Sequence, residues 1–426
     1  MSCNPLDTPL HRRAFLGRAA LGAAGLVFLP RLSPVFAQEA GGKLAKGKVE
    51  HVIVLFMQGG PSQIDTFDPK PGTQVGGPTK AIDTAVPGLR FCEHLPQLAK
   101  EAGSLSVIRS MNTKEGNHRR ASYMMRTGHA PAGPVQHPGF GAIVSRNIGR
   151  KDFDLPNFVS VGSPSVGGGF LGVEYSPFVV GDPRKPVANL NHPESVDSDR
   201  FRRRWKLLAA AEKRFAKGRR ADMVEGHRKI YEQAESFMHS PRAKAFALDK
   251  EPEAIRKAYG DTRFGQGCLM ARRLLEVGVP YVEVTLGGWD THRNNFETVK
   301  TLCGQLDPAF SQLIRDLKSK GLYDKTLVIW TGDFGRSPKI NGNEGRGHFP
   351  RAWSTVLSGG AVGQGVLLGD TGKLGKEAKG RNVSAGDLYA TTASLLGIDG
   401  TRENISKAGR PITVVDKKGS VIKEIL

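Results

Sequence analysis

Residues 322–354, LYDKTLVIWTGDFGRSPKINGNEGRGHFPRAWS, decide how this chain is read. Residues 326–330 are a β-branched and aromatic run that predicts a buried strand, and the run stops at the turn Thr331-Gly332-Asp333. Open α/β sheets place their chemistry at such strand ends. The Gly/Asn-rich residues 341–347 predict a loop, so that Asp333 and His348 can converge from its two ends on one metal ion. A turn cap at Asp333 and a surface position for His348 fit the same residues.

Immediately upstream, residues 296–318 carry Val299, Leu302, Leu306, Phe310, Leu313 and Leu317 at helical spacing, a core-facing stripe. Residues 280–286, PYVEVTL, predict another core strand, which delivers Gly287-Gly288-Trp289-Asp290-Thr291-His292. On extended backbone, Asp290 and His292 point the same way and can face one ion. Imidazole and carboxylate donors favour zinc or manganese, with calcium or magnesium as alternatives in a site richer in carboxylates. Asp290 and His292 can also simply hydrogen-bond within their own loop.

Farther out, residues 51–57, HVIVLFM, are continuously apolar, as in a central strand covered on both faces. The loop after them turns on Gly59-Gly60 and carries Asp65 and Asp68, which fit a ligand position or a turn cap equally. Residues 117–131 predict a helix closed by Gly128 and Pro131, with His118, Arg119 and Arg120 at its start, where an anionic group would be welcome. Residues 154–161 and 167–173 fit strands or loops, and residues 387–396 a helix stopped by Gly397. Strands alternating with helices predict a three-layer α/β domain over residues 51–426, with a large, mostly parallel sheet. Residues 191–262 differ in texture, being charged and helix-forming, and predict a helical insertion.

Residues 11–16, HRRAFL, resemble a twin-arginine export signal, followed by apolar residues 19–29 and the small-residue pattern Val35-Phe36-Ala37. Cleavage after Ala37 is expected, then a Gly/Lys-rich linker over residues 38–50, which places the protein in the periplasm or outside the cell. No apolar run approaches the roughly 20 residues of a membrane span. The formal charge of +20 is concentrated around residues 200–229 and suggests an anionic partner. A small-molecule or polysaccharide ester suits an exported protein better than nucleic acid, for which no reading motif is present. Cys92, Cys268 and Cys303 fit neither a zinc ribbon nor a disulfide framework, although one disulfide could form. No dinucleotide or haem motif supports redox chemistry.

Four segments together resemble the twin-arginine-exported bacterial family known as domain of unknown function 1501: FMQGGPSQIDTFDPKP, HRRASYMMRTGHAP, GGWDTH and TGDFGRSPKINGNEGRGHFPRAW. That family is similar to sulfatases and alkaline phosphatases, which implies an alkaline-phosphatase-like sandwich with metal ligands at strand ends. The resemblance implies metal-ligand roles for Asp290, His292, Asp333 and His348, with Asp65 replacing the carboxylate missing at Gln58. Phe334 stands where the superfamily carries His or Asn. Counting back from Thr127-Gly128 puts His118 at the sulfatase nucleophile position. His118, Arg119 and Arg120 are therefore the candidate catalytic residues, and Arg336 and Arg346 the candidate substrate contacts. A divalent ion that lowers the pKa of water to about 7 would supply the missing nucleophile. The expected activity is hydrolysis of a sulfate or phosphate ester. The alternative is a non-catalytic scaffold that holds an anionic glycan or a cell-surface partner.

Overall fold

A strand that is apolar along nearly its whole length must be covered on both faces, and residues 51–57 at the centre of this protein are of that kind. In the computed structural model, the described residues are 48–426 without 132, 134, 151, 189, 191, 193, 194, 218–220, 407 and 408. The expected export signal and most of the expected linker lie outside the described residues.

Eight strands form the main sheet: β1 (His51–Met57), β2 (Leu105–Met111), β3 (Phe158–Val161), β4 (Phe178–Val180), β5 (Tyr281–Leu286), β6 (Thr326–Gly332), β7 (Trp353–Ser358) and β8 (Val366–Leu368). Their order is β8-β2-β7-β6-β1-β5-β3-β4. Every pairing is parallel except those of β7, which runs antiparallel to both neighbours. The protein is thus an α/β fold on a large, mostly parallel sheet. Side chains alternate between faces along a strand, and β1 obeys this: Ile53, Leu55 and Met57 join one core cluster, Val52, Val54 and Phe56 the other.

Helices cover each face. Residues of Arg263–Glu276 and Asn295–Ser319 pack into the first cluster; residues of His118–Thr127, Phe140–Asn147 and Ala385–Leu395 pack into the second. We label these helices α1 (His118–Thr127), α2 (Phe140–Asn147), α5 (Arg263–Glu276), α6 (Asn295–Ser319) and α7 (Ala385–Leu395), with α3 (Ser198–Ala216) and α4 (Ala221–His239) between. All six apolar positions expected on α6 are buried. Residues 169–171 and 173–175 are single 3-10 turns, not strands.

The Gly/Asn-rich loop expected over residues 341–347 forms the turn of a hairpin, in which Gly335–Ile340 pairs antiparallel with Arg346–Phe349, so that only residues 346 and 347 of it are strand. Its strands need inward-pointing partners, and they find them in two arginines, Arg336 and Arg346, both fully buried. Cys92, Cys268 and Cys303 are buried free thiols, so no disulfide links them. No helix among the described residues is long and apolar enough to cross a membrane.

Phe310 is fully buried on the α6 stripe. Phe310→Ala should lower the unfolding free energy by about 3–5 kcal/mol, measured by denaturant titration.

Candidate metal centre

Three adjacent parallel strands, β5, β1 and β6, end on the same edge of the sheet, and each hands its chain to the site. After β1, Gly59 turns with φ 111°, and a Cβ there would come within 2.5 Å of the Asp290 amide nitrogen. Only glycine lets the β1 and β5 loops approach so closely. After β5 comes Asp290, and after β6 comes Asp333. The fourth contribution is His118, at the start of α1, where Asn117 caps the helix by accepting from the Arg120 amide.

Asp333 is fully buried, and its Oδ2 lies 2.7 Å from His118 Nδ1. The Gly59 amide points at both carboxylate oxygens from 3.4 Å. A buried carboxylate of this kind keeps the imidazole proton on Nδ1 and leaves a lone pair on Nε2. His348 is fixed in the same sense, its Nδ1 donating to the Gly116 carbonyl at 2.7 Å. Both Nε2 atoms then face one carboxylate. Asp290 Oδ1 lies 3.1 Å from His118 Nε2 and 3.5 Å from His348 Nε2. His292 Nε2 joins them, 3.2 Å from Asp290 Oδ1 and 2.9 Å from His348 Nε2.

The result is a set of lone pairs directed at one another. His118 Nε2 is buried yet makes no aligned hydrogen bond. Such a cluster requires a proton or a cation between its members. Ligand atoms of His118, Asp290 and His348 all lie within 4.8 Å of one another. Two or three neutral imidazoles and a carboxylate suit a divalent transition metal. The residues fit such an ion, and the half-exposed Asp290 and His292 leave the solvent side open.

The titration behaviour follows from the same geometry. Burial alone would lower the pKa of His118, but the Asp333 and Asp290 carboxylates outweigh it and raise it above the ordinary imidazole value. For His348 burial dominates, joined by the positive charge of His118, Arg336 and His292, and its pKa falls. Burial would raise Asp290, yet Arg336 and then His118 hold it down at about 2. Of His118 and His348, His118 is therefore the one that holds a proton more readily.

The structure corrects several expected roles. Asp333 orients His118 and stands behind it. His118 joins the ligand cluster itself. Asp65 lies elsewhere, buried, with Oδ2 accepting from Arg346 Nε at 2.6 Å, Ser62 at 2.5 Å and Asn295 at 2.9 Å, while Oδ1 accepts from Thr79 at 3.0 Å. Its lone pairs are used, so it has none for a metal. Arg346 is fully buried against Asp65 and the carbonyls of Val75 and Pro338, out of reach of a substrate. Arg336, also fully buried, donates to Asp290 Oδ1 at 2.6 Å and to the carbonyls of Gly59 and Gly60. It fixes the position of Asp290 and is itself closed off from solvent. Arg120 pairs with Glu115 at 2.7 Å on the surface, and Arg119 is exposed beside it.

Phe334 is buried with its ring 4.6 Å from that of His118 and 4.8 Å from that of His348. It forms an apolar floor beneath the imidazoles. The loop bearing His292 is tied to the hairpin by Arg346 N–H to Thr291 O at 2.9 Å and Asn341 Nδ2 to His292 O at 3.0 Å. Sequence reasoning missed the positioning parts of Arg336, Phe334 and the Gly116 carbonyl.

Three expectations can be checked. His118→Ala and His348→Ala should each abolish stoichiometric zinc binding in calorimetric titration, and Asp333→Asn should weaken it roughly 10- to 100-fold. Because zinc must displace the proton on His118, affinity should decline as the pH falls, starting above the ordinary imidazole pKa of about 6.5. Arg346→Met should leave zinc affinity intact but cost about 3–5 kcal/mol of stability, since it strands the buried Asp65 charge.

No curated protein matches the chain. Among solved structures it is similar to the lipoteichoic acid synthase LtaP from Listeria monocytogenes, with 10% identity over 89% of this chain and 76% of that one, at a TM-score of 0.39. A protein in the alkaline phosphatase superfamily from Vibrio parahaemolyticus shows 13% identity over 84% and 68%, at 0.37. The C-terminal periplasmic domain of EcEptC from Escherichia coli, in complex with zinc, shows 11% identity over 90% and 93%, also at 0.37. The profile of the family described as protein of unknown function (DUF1501) matches residues 49–426, and the chain belongs to that family.

Proposed function

We propose that the protein is an exported metal-dependent hydrolase of sulfate or phosphate esters, with anionic polysaccharide as its substrate class. The observation that carries this reading is the convergence of His118 Nε2, His348 Nε2 and Asp290 Oδ1, with each imidazole's other nitrogen already committed to an acceptor. Zinc or manganese suits that donor set best. When bound there, such an ion would supply Lewis acidity toward an ester oxygen and toward water.

The chain's own residues would do the rest. Asp333 holds the His118 proton on Nδ1, and Arg336 fixes Asp290 in its ionised form. His292, half exposed beside the ligands, is placed to exchange a proton with a leaving group or with water. The exposed Arg119 and Arg120, on the first turn of α1, would draw an anionic ester toward His118. No serine, threonine or cysteine side chain hydrogen-bonds to this cluster among the described residues, which favours attack by water over a covalent enzyme intermediate. The twin-arginine-like residues 11–16 support export.

The test is metal analysis of periplasmic protein purified without chelator, followed by a screen of aryl sulfates and aryl phosphates. One transition metal per chain and hydrolysis lost in His118→Ala and Asp290→Ala, but kept in Ser122→Ala, are expected. Stoichiometric metal with no hydrolysis of either ester class would leave a binding scaffold.

A further inference from the structure

A second charged feature lies away from the histidine cluster and shares no lining residue with it. The loop after β1, bonded at Phe67 O by Arg109 of β2, contributes to a cleft of about 300 Å³ lined by Asp68, Lys70, Gly88, Arg90, Arg109 and Lys373, among others. Four of these residues are cations. Arg109 rises from β2 and is held in place by its backbone acceptors, donating to Phe67 O through Nε at 2.9 Å and Nη2 at 2.6 Å, and to Arg90 O at 3.0 Å. Lys70 is fixed by Asp68 at 2.8 Å. The side chains of Arg109 and Lys70 are only 12% and 11% exposed, so both charges are ordered before any ligand arrives.

The carboxylates present do not balance the cations. Asp68 is fully engaged, with Oδ1 between Lys70 and Arg109 and Oδ2 taking the Thr371 hydroxyl. Asp370, mostly exposed, lies 3.8 Å from Lys70. Arg90 and Lys373 have no carboxylate partner among the described residues and stand exposed at the rim. Half-buried, fixed cations at the floor, exposed cations at the rim and a volume beyond that of a lone oxyanion describe a receptor for a charged group attached to something larger.

We infer that this cleft is a second anion site, which binds a sulfate or phosphate group through Lys70, Arg90, Arg109 and Lys373. The group can be a free oxyanion or a substituent on a polyanionic chain; the chemistry of recognition is the same. Binding here does not require the metal centre.

The experiment is isothermal titration calorimetry in low-salt chloride buffer with three probes: inorganic sulfate, inorganic phosphate and a sulfated carrageenan oligosaccharide. It compares the wild type, the rim variant Arg90→Glu/Lys373→Glu and the metal-centre variant His118→Ala/His348→Ala, each prepared metal-free. Both rim residues are exposed, and circular dichroism verifies folding. For whichever probes bind the wild type, the rim variant should lose at least about tenfold in affinity and the histidine variant should retain it. Binding of free anions points to a free ligand, and binding of the oligosaccharide alone to a group carried on a polymer; both support the site. Unchanged affinity in the folded rim variant, loss of binding in the histidine variant, or no binding of any probe to the wild type overturns it. Because the histidine variant reports separately, failure here is distinguishable from failure of the hydrolase reading.

Discussion

The guanidinium of Arg336 is the tie on which the histidine cluster depends. It is fully buried beneath three segments at once: it donates to the carbonyls of Gly59 and Gly60 after β1 and of Arg346 in the hairpin, and to the Asp290 carboxylate after β5. A guanidinium stays charged even where burial lowers its pKa, as it does here. Its planar fork therefore fixes the position of Asp290 relative to the β1 turn, and with it the point on which the imidazoles converge. Lysine could not make these contacts together, because it offers a point charge in place of a fork.

Around that tie the protein builds two carboxylate–arginine pairs with different purposes. Asp290 is left half exposed by its arginine, with lone pairs directed at the imidazoles. Asp65 is enclosed completely by Arg346, Ser62, Thr79 and Asn295, and serves to hold the loop after β1 against the hairpin. The two pairs share neighbouring backbone, since Arg336 also bonds the Arg346 carbonyl. Site and scaffold are thus continuous, and the chemistry of one rests on the satisfied polar interior of the other.

Much of the architecture could be read from the chain because its central strands are apolar on both faces. The β1, β5 and β6 segments and the α6 stripe follow directly from residue type and spacing, and so does the idea that Asp290, His292 and His348 meet at strand ends. What could not be read was which charged residues go inside. Nothing local distinguishes Arg336 and Arg346 from surface arginines, because their partners Asp290 and Asp65 are distant in sequence and meet them only once the parallel sheet has formed. The expected Gly/Asn loop is the turn of a hairpin, and only the pairing of its flanking residues was not anticipated. Asp333 was expected beside the histidines and lies there, but its partner His118 comes from a segment 215 residues away and is identified only by the folded structure.

The three buried cysteines have a consequence for the order of events in the life of the chain. Cys92, Cys268 and Cys303 sit in the core as reduced thiols, packed as small apolar groups, with burial raising the pKa of Cys268 beyond the reach of ordinary pH. A core assembled this way owes nothing to oxidation. The sheet, its helices and the histidine cluster need no oxidation step, so the described residues can reach this fold in reducing surroundings as well as in oxidising ones.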